Sequence, residues 1–185
     1  MRQPAIFLDR DGVIIENRDH YVRSWADVEI FSQAVEALIG ARHSAYQIIL
    51  VTNQSAVGRG HISYATAEAI NEQLVSLIRR AGGRVDAVYM CPHGPNDGCS
   101  CRKPGPGLLL QAADELNIDL DNSVMIGDAR TDLQAGLAAG VGRSILVRTG
   151  RGRQQELSLS AAERAAVTVF DTLSEALDNV LNPLS

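Results

Sequence analysis

Asp9-Arg10-Asp11-Gly12 sets two carboxylates one residue apart directly before a glycine. A calcium loop of the EF-hand type would want glycine at the sixth position, and Gly12 is the fourth, so that reading fails. Two readings remain: a plain Asp-Gly turn that closes a strand, or part of a cation site completed by distant acids. Asp128 and Asp132, in the run Gly127-Asp128-Ala129-Arg130-Thr131-Asp132, are the candidates. Carboxylates brought to one place repel strongly unless a cation sits among them. The ion implied is hard, and Mg2+ suits an oxygen-rich site that must also hold a phosphate.

A second cluster lies in the middle of the chain, where CPHGPNDGCSCRKP gathers all three cysteines and one of the four histidines. Cys91, His93, Cys99 and Cys101 form a Cys3His set of the kind that takes Zn2+ in tetrahedral geometry. Four protein ligands leave no open position, so the zinc is expected to be structural. A redox pair is disfavoured because C-x-C is not C-x-x-C. The plain alternative is three incidental thiols beside a surface histidine. The loop is rich in Gly, Pro and Asn, and without a metal it has little to fold around.

The elements that would bring these clusters together are legible as alternating patterns. Short β-rich runs occur at residues 5–8, 48–51, 85–90, 123–126, 144–147 and 167–170, each apolar enough to be buried on both faces. Helical periodicity occupies 34–43, 64–81, 107–116, 133–139 and 173–181. Pro106 sits where a first helical residue would, and Gly82-Gly83 and Gly140 fall where helices should stop. Strand and helix alternate, which predicts an α/β fold with a parallel sheet covered by helices on both faces. Residues 148–156 read as a solvated loop. Ligands of such a sheet collect beyond the carboxyl ends of its strands. Asp9 to Gly12, Thr52 to Ser55, the cysteine loop and Gly127 to Asp132 each follow a strand.

The 185 residues, 45% of them apolar, suit one domain spanning 1–185. A net charge of -5 offers no general attraction for nucleic acid or an anionic membrane. No run approaches the apolar length of a membrane span or a secretory leader. A cytoplasmic protein is expected, monomeric because no exposed apolar stripe stands out, with a phosphorylated small molecule as its partner.

DRDGV, VTNQS, RKP and GDARTD, in that order and each at a strand end, together resemble the four signature motifs of the haloacid dehalogenase (HAD) superfamily of phosphohydrolases. The resemblance runs from Asp9 to Asp132. It implies a Rossmann-like HAD fold and phosphoryl transfer through an aspartyl-phosphate. Asp9 would be the nucleophile, and Asp11 the acid that protonates the leaving alcohol and then the base that activates water. Thr52 would hydrogen-bond the transferring phosphoryl and Lys103 would neutralise it. Asp128 would complete the Mg2+ site with Asp9 and the Asp11 backbone carbonyl. Asp132 either supports Lys103 or Asp128, or is simply an acid in a first helical turn, where the dipole favours it.

Within that superfamily the cysteine loop resembles a small zinc-bearing group that lacks a large cap domain and acts on D-glycero-D-manno-heptose 1,7-bisphosphate or histidinol phosphate. AIFLDRDG, Asp19-His20-Tyr21-Val22, VTNQS followed by Arg59-Gly60, and the closing LVRTG resemble the heptose enzymes. The short spacing from His93 to Cys99 resembles the histidinol-phosphate group, and Ala129 stands where many heptose enzymes have lysine. The resemblance implies removal of the heptose 7-phosphate, with histidinol phosphate as the alternative. Asn17, Asp19, Tyr21, Asn53, Gln54 and Ser55 would line the sugar pocket. Arg102 would read a hydroxyl or second phosphate. Arg59 would meet the distal phosphate, or is an ordinary exposed arginine. An inactive zinc-stabilised interaction module is the competing class. It would have lost the nucleophile, the acid, the lysine or the metal aspartate, and all four are present.

Overall fold

The computed structural model of the protein describes residues 2–183. Its centre is a six-stranded sheet made of β1 (Ala5–Leu8), β2 (Gln47–Asn53), β3 (Ala87–Cys91), β4 (Val124–Gly127), β5 (Arg143–Val147) and β6 (Val167–Phe170). The order across the sheet is β3-β2-β1-β4-β5-β6, and every neighbouring pair is parallel. The chain therefore winds outward from β1 to one edge, then returns to the other side of β1. This reversal opens a crevice at the carboxyl ends of β1 and β4.

Strand alternation sends Ile6, Leu8, Ile48, Leu50, Ile126 and Val147 to one face, where they pack with residues of α1 (Ser32–Gly40), α3 (Tyr64–Arg80) and α8 (Leu173–Leu181). Ala5, Phe7, Ile49, Val51 and Met125 point to the opposite face, against α4 (Gly107–Leu116) and α5 (Arg130–Ala139). Both faces are thus covered, as the doubly apolar strands require. The short α2 (Ser55–Gly58) follows β2 directly. Among the described residues no helix is long and apolar enough to cross a membrane.

Several bounds shift: β2 runs on through Thr52 and Asn53, expected to follow it, and two further changes bear on the site and its surroundings. The third strand begins at Ala87 and ends on Cys91, so the first thiol belongs to the buried sheet and the cysteine loop starts from a fixed point. Residues 148–156, expected as loop, run into α6 (Gly152–Ser158), which is followed by α7 (Ala161–Ala166). The segment lacks apolar periodicity because ion pairs hold it. Arg148 clamps Glu156 through Nε at 2.7 Å and Nη2 at 2.9 Å.

Candidate active site

β1 delivers Asp9, whose backbone N–H donates to Ile126 O of β4 at 3.0 Å. Beside it, β4 delivers Asp128, and Asp132 follows in the first turn of α5. Ligand oxygens of Asp9, Asp128 and Asp132 all lie within 4.8 Å of one another. The backbone makes this approach possible through glycine. Gly12 has φ +83°, and a Cβ there would lie 2.0 Å from Asp128 Oδ2.

Lys103 enters from the cysteine loop and is only 2% exposed. Its Nζ donates to Asp132 Oδ1 at 2.7 Å, Asp9 Oδ1 at 2.9 Å and Val51 O at 2.7 Å. Burial alone would lower the lysine's pKa, but the charges of Asp132 and Asp9 outweigh it and hold the ammonium above its usual range. Asp132 also accepts the Ala129 N–H at 3.0 Å through Oδ2. It therefore fills both roles left open by the sequence, partner of Lys103 and acid of the first helical turn.

Burial raises the Asp9 carboxyl well above its usual range, against the lowering pull of Lys103 and with Asp132 and Asp128 adding repulsion. Asp128 is pushed up to about 6, first by burial and then by the charge of Asp132, although the Arg151 N–H and the Asn17 amide oppose this. Asn17 Nδ2 reaches Asp128 Oδ2 at 2.6 Å and the Arg151 N–H reaches the same oxygen at 2.8 Å. Asp9 Oδ1 accepts from Arg10 N as well as from Lys103. Asp9 Oδ2 and Asp128 Oδ1 are left without a partner among the described residues, while both oxygens of Asp132 are engaged. This donor set fits a hard cation held by Asp9 and Asp128. It does not offer Asp132 as a free ligand.

The Asp11 carboxylate takes a different environment. Arg10 forks onto it, Nε to Oδ2 at 3.1 Å and Nη2 to Oδ1 at 3.0 Å, and Gln54 Nε2 adds a contact to Oδ2 at 3.0 Å. Thr52 is buried next to these groups, with its Oγ1 accepting from Gln54 Nε2 at 2.8 Å.

A cavity of about 270 Å3 opens over these groups, lined by Asp9, Asp11, Asp128, Lys103 and, from the expected sugar pocket, Asn17, Asp19, Tyr21, Asn53, Gln54, Ser55 and Arg102. Arg59 is exposed and lies outside this lining, which fits the second of its two readings, an ordinary exposed arginine. It caps the carboxyl end of the short α2. Arg18 and Arg151 line the cavity instead, and the sequence reading missed both. A larger groove of about 640 Å3 between α3 and β3 contains no comparable cluster.

Several residues expected to touch sugar are engaged in holding the machinery. Asn53 exchanges two hydrogen bonds with the backbone of Lys103, Nδ2 to O at 3.0 Å and N to Oδ1 at 3.1 Å. Ser55 Oγ accepts from Arg102 Nη1 at 2.6 Å, and the same nitrogen donates to His93 O at 3.2 Å.

Cys91, His93, Cys99 and Cys101 converge as expected. Cys91 Sγ is 3.7 Å from Cys99 Sγ and 3.1 Å from Cys101 Sγ, and His93 Nδ1 is 3.6 Å and 3.3 Å from Cys91 and Cys101. A zinc at about 2.3 Å from sulfur and about 2.0 Å from nitrogen spaces tetrahedral ligands by about 3.5–3.8 Å. Two of these four spacings match, and the two that involve Cys101 are shorter, so this thiol would move outward to seat the ion. No pair approaches the bond length of a disulfide, about 2.05 Å.

Comparison with known proteins places these features. Residues 100–176 match a family model described as HAD-hydrolase-like. The chain is 40% identical over 183 residues to D-glycero-beta-D-manno-heptose-1,7-bisphosphate 7-phosphatase of Vibrio cholerae, covering 95% of each chain. With the protein of the same name from Escherichia coli K12 it shares 39% over 180 residues, 93% of this chain and 91% of that one. The crystal structure of D,D-heptose 1,7-bisphosphate phosphatase from B. bronchiseptica, complexed with magnesium and phosphate, superposes with a TM-score of 0.90 at 34% identity. That match covers 98% of this chain and 99% of the other.

Proposed function

We propose that this chain, which belongs to the D-glycero-beta-D-manno-heptose-1,7-bisphosphate 7-phosphatase family of HAD-like hydrolases, removes the 7-phosphate of D-glycero-D-manno-heptose 1,7-bisphosphate. The observation that carries this reading is the buried Lys103 bridging Asp9 and Asp132 beside Asp128 at the mouth of the cavity.

A phosphate monoester is a dianion, and a carboxylate cannot approach it until opposite charge offsets the repulsion. Lys103 supplies one such charge. Asp9, Asp128 and the Asp11 backbone carbonyl would hold Mg2+, which when bound would supply the rest as a Lewis acid; the magnesium in the B. bronchiseptica complex supports this assignment. Asp9 attacks phosphorus through a carboxylate oxygen. The bond from phosphorus to the sugar oxygen breaks, and Asp11 gives its proton to that oxygen as the alcohol leaves. Asp11 then takes a proton from water, whose oxygen attacks the aspartyl-phosphate. Phosphate departs and Asp9 is regenerated. The Thr52 hydroxyl is assigned to the transferring phosphoryl oxygens. Arg18, Arg102 and Arg151 supply positive charge toward the second phosphate of the substrate.

The Cys3His cluster is assigned to structural zinc. Its four donors and its place at the root of the loop bearing Lys103 support that role. Burial pushes the Cys91 thiol up to about 12, whereas at Cys99 the Arg102 N–H works against desolvation and draws the thiol down, and a metal that displaces the protons the cluster keeps would bind as a fold-stabilising ligand.

The test is phosphate release measured side by side with the heptose bisphosphate, histidinol phosphate and a simple sugar phosphate, for the natural protein and Asp9→Asn. Fast release from the bisphosphate alone, abolished in the variant, is expected. Preference for histidinol phosphate would replace the substrate, and turnover retained by Asp9→Asn would overturn the mechanism.

A further inference from the structure

We propose that Arg10 is a positioning residue for Asp11, and that Asn71 of α3 is the anchor that fixes its guanidinium. The inference rests on the assignment of Asp11 as proton donor, and concerns how that carboxyl is aimed.

Arg10 lies between the two aspartates yet is only 1% exposed, where arginine is rare unless paired. Every side-chain nitrogen is engaged. Nε and Nη2 fork onto the two oxygens of Asp11, and Nη1 donates to Asn71 Oδ1 at 2.7 Å. A fork sets the plane of a carboxylate as well as its distance, which a single-point donor such as lysine cannot do. Asn71 is itself buried, 4% exposed, among the inward residues Ile70, Leu74 and Val75 of α3. A carboxamide at such a position is costly unless its hydrogen bonds are made, and the one its oxygen makes is to Arg10. A continuous line of contacts therefore runs from the core side of α3 through Asn71 and Arg10 to Asp11. The large groove beside α3 is lined in part by this same Asn71.

Both oxygens of Asp11 accept from the fork, and Gln54 holds Oδ2 from the cavity side. An oxygen that gives a proton to the leaving group must turn from these donors toward the cavity. Arg10 sets the starting orientation of that turn and the place to which the carboxylate returns when it takes a proton from water. This differs from a purely structural buried arginine in one measurable respect. Loss of aim at Asp11 slows the phosphoryl-transfer step, which kcat/KM reports, only where the leaving oxygen needs a proton, whereas the later hydrolysis needs Asp11 as base with either ester and is read in kcat.

The experiment compares kcat/KM for the heptose bisphosphate, whose alkoxide must be protonated, with that for p-nitrophenyl phosphate, whose phenolate leaves unaided. In Arg10→Lys, kcat/KM for the sugar ester is expected to fall by about 10–100-fold and that for the aryl ester by less than about 3-fold. Asn71→Ala keeps the fork and its charge, and should show the same selective loss to a smaller degree; it carries the test if Arg10→Lys does not fold. Equal losses on both esters, or no loss on either, in variants with the natural circular dichroism spectrum would overturn the proposal. Failure of the phosphatase reading itself is separate, because the natural protein would then release no more phosphate than Asp9→Asn.

Discussion

Lys103 has all three donors committed, to Asp9, Asp132 and Val51 O, so its charge is fixed in place before any substrate arrives. Asp132 is the second arm of this arrangement and touches no phosphate in the proposed reaction. Breaking one arm of a buried ion pair costs about 3–5 kcal/mol, and relief of the repulsion on Asp9 and Asp128 offsets part of it. Asp132→Asn is therefore expected to lower the unfolding free energy by about 1–3 kcal/mol in urea titrations, and phosphate release with it. Unchanged release would mean that Asp9 alone suffices to seat the lysine. Asp9, Asp128 and Lys103 were legible because their types and their places after strands declare a charged site. Arg10 was not, since a lone arginine in sequence reads as solvated until its burial is known. The second role of Asn53 was hidden for a related reason: a polar residue at a strand end that lines a cavity can also hold a neighbouring backbone, and only the geometry shows that it does.

At the scale of elements, the cysteine loop is tied down more than once. Cys91 belongs to β3, Asn53 of β2 pins the Lys103 backbone, and Arg102 ties the loop to Ser55 at the start of α2. Zinc and these hydrogen bonds are separable supports. Cys101→Ala is expected to lose zinc by elemental analysis and to lower Tm by about 5 °C or more. Asn53→Ala should keep its zinc and lower turnover, because the Lys103 backbone loses two hydrogen bonds while the metal cluster stands. Normal zinc content in Cys101→Ala would remove the thiol from the ligand set. The six strands and the long helices could be read from periodicity. α6 and α7 could not, because Arg148 with Glu156 and Arg130 with Glu163 hold them by long-range ion pairs in place of an apolar stripe.

For the molecule as a whole, the buried carboxylates make stability depend on pH and on metal together. Asp9 and Asp128 are both raised above the ordinary 3.8, Asp128 to about 6. Between these values the folded protein keeps protons that the unfolded chain has released, so these groups contribute stability at low pH that is lost as pH rises through the window. Surface acids act in the opposite sense: Glu163 is lowered to about 2, chiefly by the Ser160 N–H. The quantity that isolates the buried site is the increase in Tm on adding Mg2+. It is expected to be small near pH 5 and to grow toward pH 7.5, as the cation takes over charge that protons no longer cover. An increment that does not change with pH would place the ion elsewhere. The parallel order of the strands brings these acids together although they lie far apart in the chain, and that convergence could be inferred from motif order alone. Finally, the exposed turn at residues 95–98 lies between His93 and Cys99, inside the anchored loop, and its Pro95 lines the cavity. A change in its length is therefore expected to reshape the rim of the cavity and leave the lysine in place, so that the choice of ester and the breaking of its bond can be altered separately.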